Sequence, residues 1–238
     1  TVDTVTLLEH ASIPPDVSAV IIAGPTRRYA DSEVTLLEQY LTQGGKLLVL
    51  LDPLDDSGLQ ELCERWGIVV GNDIVVDPVR KLPFVSAANL FVTDYPQHPI
   101  VEKMGTFMTL YPLARSVRPR QPVPDGLTVT ALALTSEAGW AETQTSVETF
   151  QFTEGEDLAG PVSIAVAAER PSTIESTGTT PTPARLVVIG DSDFVINAQL
   201  GNVGNRDLVL GAIYWLTAQE QRIGISPKTL ESIRLHLT

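Results

Sequence analysis

The stretch 18–53 constrains the fold more than any other part of the chain. It reads SAVIIAGPTRRYADSEVTLLEQYLTQGGKLLVLLDP. An apolar run at 19–23 meets a Gly-Pro turn. An amphipathic segment follows at 31–41, then Gly44-Gly45, then a second apolar run at 47–51. Strand, helix, strand in that order, with near-continuous apolar strands, predicts a right-handed β-α-β unit in a parallel sheet buried on both faces.

The helix of this unit carries signals at both ends. Asp31 or Ser32 is the expected N-cap, and Glu33 stands in the first turn, where the helix dipole favours a carboxylate. Val34, Leu37 and Leu41 recur at helical spacing, widened by Leu36 and Tyr40. Gly44 suits the left-handed position after the last turn.

The rest of the 238-residue chain is read around that unit. A helix is expected at 55–67, then two short strands or a strand and turn at 68–76. Prolines become frequent after residue 78, and helical periodicity fades. Strands are expected at 84–92, within 106–117, at 127–135 and at 161–168. The run 118–126 reads as a loop, and 169–183 as a mobile one rich in Ser, Thr and Pro. The core pattern returns at 185–194, followed by a helix at 205–219 and a short tail at 230–237. The expected organisation is one α/β domain over 1–238, its core at about 16–77 and 185–222, with an inserted set of mixed strands and loops at 78–184.

Composition narrows the partners. Hydrophobic residues at 43% and charged residues at 19% are those of a folded chain. A net charge of −13, from 29 acidic and 16 basic residues, argues against nucleic acid or an anionic bilayer as the main partner. The single cysteine, Cys63, excludes an intramolecular disulfide and a thiolate metal cluster, and fits a small core residue. No apolar run reaches the length of a membrane span. The chain begins at Thr1, without methionine, and is read as a soluble domain cut from a longer protein.

In open α/β sheets, ligands bind beyond the carboxyl ends of the strands. Asp52, Asp191 and Asp193 fall there in sequence, and together they would suit a hard cation through oxygen ligands. The competing reading is turn and capping work, which Asp and Ser do well. Gly190-Asp191-Ser192 invites a serine-nucleophile reading, but His10, His98 and His236 occupy no evident loop of the core. The same triplet lacks the helper motif of an aspartyl phosphotransferase. Arg27-Arg28 is an anion contact or a solvated pair, and Trp140 with Glu142 lines a groove or simply packs. No complete catalytic constellation is present, so no enzyme, cofactor or metal is expected.

Several segments together resemble a known family. They are the 20–53 unit, GIVVGNDIVVD, HPIV, SEAGWAE, and above all RLVVIGDSDFVINAQLGNVGNRDLVLGAIYWL with ISPK. In their order and spacing, from about 16 to 228, the chain resembles the GldG-like auxiliary component of an uncharacterised ABC-type transport system associated with gliding motility. The resemblance implies a three-layer α/β sandwich with a parallel core, flavodoxin-like or class I glutamine amidotransferase-like, without that enzyme's catalytic cysteine and histidine. It implies a non-enzymatic, extracytoplasmic domain on the periplasmic side of the inner membrane, anchored by a helix after Pro227-Lys228. Its partners would be ABC transporter membrane or ATPase-complex subunits, met through protein interaction or ligand binding. The alternative is a metal-dependent hydrolase using the carboxylates named above. Asp191, Ser192, Asp193, Phe194, Asn197 and Asn205 match the family's most recognisable motif. They are expected to form a turn locking strand to helix, with ligand contact secondary.

Overall fold

The computed structural model describes residues 1–9, 12–81, 86–105, 107–146, 149–171, 182–201 and 204–223. Strand β1 (Val20–Ala23), helix α1 (Asp31–Thr42) and strand β2 (Lys46–Leu50) form the first unit. The two strands are parallel neighbours, Val20 opposite Leu47 and Ala23 opposite Leu50. Helix α1 starts differently from expectation. Ala30, not Asp31 or Ser32, is the N-cap, and its N–H donates to Glu33 Oε2 at 2.9 Å. Glu33 thus supplies the carboxylate half of a capping box, while alanine has no oxygen for the other half. At the far end Gly44 takes φ +91°. Gly45 N–H reaches Tyr40 O and Gly44 N–H reaches Leu41 O, which closes the helix as a Schellman motif.

Simple alternation stops there. Helix α2 is only Gln60–Arg65, and Gly67 ends it at φ +74°. Short strands β3 (Ile68–Val70), β4 (Ile74–Val76), β5 (Leu90–Val92), β6 (Thr109–Tyr111) and β7 (Val117–Pro119) follow. Then come β8 (Thr128–Leu134), β9 (Trp140–Glu142), β10 (Leu158–Ala159), β11 (Ser163–Arg170) and β12 (Ala184–Ile189), and helix α3 (Asn205–Leu216) closes the order. Small antiparallel sheets pair β3 with β7, β5 with β6, and β9 with both β4 and β10.

The main sheet runs β1-β2-β12-β11-β8. Strand β12 lies parallel to β2, whereas β11 is antiparallel to both β12 and β8. The strands of the expected core segments, β1, β2 and β12, run parallel, and the antiparallel β11 and β8 make the whole sheet mixed. Strands β8 and β11 come from the stretch expected to be an insertion of mixed strands, and they extend the main sheet. The six buried residues that open β11 look, as sequence, like any strand covered on both faces. Apolarity reports burial and not strand direction.

Alternation along the strands divides the core between two faces. Leu47, Val49, Leu51, Leu186 and Val188 pack with Leu37, Leu41, Leu62, Cys63 and Trp66 of the α1 and α2 side. Leu48, Leu50, Val187 and Ile189 pack with Phe194, Leu208, Ala212 and Trp215 of the α3 side. Each fully buried leucine contributes about 1.5–3 kcal/mol. Burial also pushes the Cys63 thiol up to about 12, so it packs as an inert thiol. Strand β1 is the exception to two-faced burial. It stands at the sheet edge, with Ile22 buried and Ile21 52% exposed.

Among the described residues no helix is long and apolar enough to cross a membrane. His10, His236, the tail at 230–237, the start of the strand expected at 84–92 and most of the loop expected at 169–183 lie outside the described residues.

Candidate functional site

Three parallel strands end side by side. Strand β1 runs out at Gly24, β2 at Asp52 and β12 at Gly190. There the Asp52 carboxylate accepts the Ser192 N–H on Oδ1 and the Ser192 hydroxyl on Oδ2, at 2.5 and 2.7 Å. Gly24 sits on this pair with φ +53°. A Cβ on Gly24 would stand 2.6 Å from Ser192 Oγ and 3.1 Å from Asp52 Oδ2. Asp52 and Ser192 therefore fill the space where an open α/β sheet usually admits a ligand.

Arg115, which the sequence reading did not single out, completes the plug. It is 2% exposed. Its Nε donates to Gly71 O at 2.7 Å, and Nη1 donates to Asp52 O and Asp55 O at 3.0 Å each. Burial lowers its pKa, opposed by the charges of Asp73, Asp55, Asp52 and Asp56. The guanidinium binds the turn after β2 to the turn between β3 and β4. Beside it the backbones of Arg115 and Gly190 touch, with Arg115 N–H on Gly190 O at 2.8 Å.

The Asp52–Ser192 arrangement recurs. Asp73 accepts both the N–H and the hydroxyl of Ser116, each at 2.7 Å. Asp77 accepts the N–H of Ser136 at 2.8 Å and its hydroxyl at 2.9 Å, and also the N–H groups of Val79 and Arg80. In all three cases one carboxylate satisfies two donors of a serine far away in sequence. The sequence offered one signal for Asp73 and Asp77: both stand next to apolar runs that become strands. It offered none for the serine partners.

Asp191 differs from these. It has no exposure. Its Oδ1 accepts the Asp193 N–H at 2.7 Å, and its Oδ2 is buried without a partner. Tyr111, equally buried and with an unpartnered hydroxyl, lies near enough to feel its charge. Burial, with lesser repulsion from Asp52 and Asp193, pushes the Asp191 carboxyl up to about 8, against the pull of the Asp193 N–H. The folded state thus holds a proton that the unfolded chain has released above about pH 4. The contribution of this group is complete below that pH and is lost as pH rises toward 8, at up to about 1.4 kcal/mol per unit. D191N keeps the acceptor for Asp193 and carries no titrating proton. Its urea midpoint is expected to fall less than that of the parent between weakly acid and alkaline pH; parallel pH profiles would defeat this assignment.

The other candidates scatter. Asp193 and Asn197 are exposed. Asn205 has no exposure and ties three segments together. Its Nδ2 donates to Phe194 O at 2.8 Å and Leu110 O at 3.0 Å, and Oδ1 accepts Leu110 N–H at 2.8 Å. His98 packs edge-on against Trp215, with ring centroids 4.9 Å apart. Trp215 lies nearly three turns along α3 from Asn205, so His98 does not serve Ser192. Burial, then the charge of Arg185, lowers the His98 pKa to about 4. Trp140 and Glu142 are buried against each other, with Trp140 Nε1 donating to Glu142 at 3.3 Å. Arg28 pairs with Asp56 at the surface. Among the described residues no group of three His, Cys, Asp or Glu side chains is placed to hold a metal ion, so Asp52, Asp191 and Asp193 are neighbours without forming that ligand set.

Known proteins resemble this chain over part of its sequence and in its fold. One stretch of 60 residues, 24% of this chain, is 38% identical to the Intraflagellar transport protein 52 homolog of Mus musculus. The chain spans only 14% of that protein's length. The solved N-terminal domain of mouse IFT52 superposes with a TM-score of 0.61 at 22% identity, covering 85% of this chain and 78% of that one. This likeness shows a shared fold. A putative ThuA-like protein from Bacteroides uniformis matches with a TM-score of 0.39 at 13% identity, covering 84% of this chain and 69% of the other. The family model described as ABC-type uncharacterized transport system matches residues 1–212. The chain belongs to this family of auxiliary components of an ABC-type transport system.

Proposed function

We propose that this chain is the extracytoplasmic interaction domain of an ABC transporter accessory protein, of the GldG-like kind associated with gliding motility. It holds transporter membrane or ATPase-complex subunits through its outer surface. One observation carries this reading. The crevice beyond the parallel strands is filled by the protein's own groups, Asp52 on Ser192 and Arg115 on three carbonyls. A sheet plugged in this way keeps its shape and leaves recognition to edges and loops. Family membership supplies the transporter context.

The test is co-expression of the protein with an ABC permease and ATPase of the same organism, followed by affinity purification through the permease. Co-elution in fixed stoichiometry is expected, surviving D191N. Absence of co-elution, or divalent-metal-dependent hydrolysis by the purified domain that D191N abolishes, would overturn the proposal. Protease added to spheroplasts is expected to digest this domain, and protection until lysis would place it on the other side of the membrane.

A further inference from the structure

Strand β1 ends the main sheet, with β2 as its only neighbour among the described residues. Gly24 N–H bonds to Leu50 O, which fixes the direction of the alternating groups. The even-numbered residues Val20 and Ile22 turn their N–H and C=O toward β2, so Ile21 and Ala23 present theirs outward. Among the described residues no hydrogen bond uses those outward groups. The Ile21 side chain lies on the α3 face, in register with buried Leu48, yet it is 52% exposed. Ile21 is not among the residues packed with helix α3. Residues 20–23 contain no lysine, proline or bulge, the usual protections of an exposed edge.

We propose that this edge takes an added strand from a partner: an extended, β-branched peptide segment flanked by lysine or arginine. The proposal rests on reading the domain as a binding module, and names the chemistry that it binds. Main-chain groups of Ile21 and Ala23 would supply the affinity, and alternate apolar side chains would cover Ile21. Charge selects the flanks, since the chain carries −13 at pH 7. Arg27 and Arg28 follow the strand, and Arg28 is already paired with Asp56. A second copy fits poorly. It would bring the same −13, and a four-residue edge falls far short of the roughly 800 Å² per partner of a stable interface.

The probe is a labelled peptide of alternating valine and threonine with lysines at both ends, titrated with the whole chain by fluorescence anisotropy. A matching peptide ending in glutamates is the control. I21P removes one outward donor and leaves the bonds from Ile22 and Gly24 to β2 in place. I21K adds the edge charge that natural sheets use, and carries the test should I21P not fold. Saturable binding of the lysine peptide is expected, at least about tenfold weaker for the variant and for the glutamate peptide. No binding by the parent chain, equal binding by parent and folded variant, or equal binding of both peptides overturns the proposal. So does a dimer seen in sedimentation that the variant abolishes, because a second copy is then the occupant. If the permease still co-elutes with I21P while the peptide fails to bind, the domain's role stands and this edge is not its means.

Discussion

R115L is expected to lose about 3–5 kcal/mol of stability, the largest effect of any single side-chain truncation in the plug. The guanidinium is buried and satisfies the carbonyls of Gly71, Asp52 and Asp55. Leucine fills much of the volume but donates nothing, so three part-buried acceptors lose their donor. The negative charges of Asp73, Asp55 and Asp52 lose their cation as well. R115K restores the charge without the planar fork that spans two turns, and is expected to recover less than half of the loss. Urea unfolding followed by tryptophan fluorescence measures both, with an unchanged denaturant slope showing that the same transition is compared. A midpoint for R115L indistinguishable from the parent would mean that water replaces the guanidinium freely.

G190A is expected to cost about 3 kcal/mol or more, for a steric reason alone. Gly190 does not have a positive φ, so alanine suits its backbone. A Cβ there would stand 2.1 Å from Arg115 O, a main-chain atom that cannot rotate aside. The two backbones are also joined by the Arg115 N–H on Gly190 O, so relieving the clash pulls β12 away from the plug. G201A is the matched control, because a methyl at that exposed position would meet nothing within 4 Å. Thermal melts of the two variants are expected to show G201A within about 0.5 kcal/mol of the parent. If G190A melts with G201A, the contact between β12 and Arg115 is looser than its geometry.

Local signals were legible wherever a single segment decides its own conformation. The 20–50 unit and the Gly44-Gly45 stop follow from periodicity and turn chemistry, and of the two readings open for 68–76 the fold takes two short strands. What was hidden depends on partners. Ile21 belongs to an apolar run and reads as buried, yet its strand has a neighbour on one side only. Strand β11 gives no sign of its direction, because a strand covered on both faces is apolar whichever way it runs. Asp52, Asp191 and Asp193 were named from their places after strands; the fold sets Asp52 on Ser192, buries Asp191 and leaves Asp193 exposed. Arg115, Asp73 and Asp77 were missed because their work is done on Gly71, Ser116 and Ser136, which no spacing connects to them. Asn197 shares a motif with Asn205 but is exposed, whereas Asn205 is buried at a junction.

The order β1-β2-β12 also sets when the domain can form. Leu47 near the start of the chain pairs with Leu186 near its end. During synthesis β2 emerges early with one edge occupied by β1 and the other bare. That bare edge is apolar, and it stays so until nearly the whole domain has left the ribosome. Such long-range closure is slow compared with helix or hairpin formation. The nascent chain therefore spends its synthesis as a sticky intermediate, a client for whatever shields unfinished polypeptides from aggregation. A chain cut before β12 would keep its first β-α-β unit and have no sheet centre on which to fold.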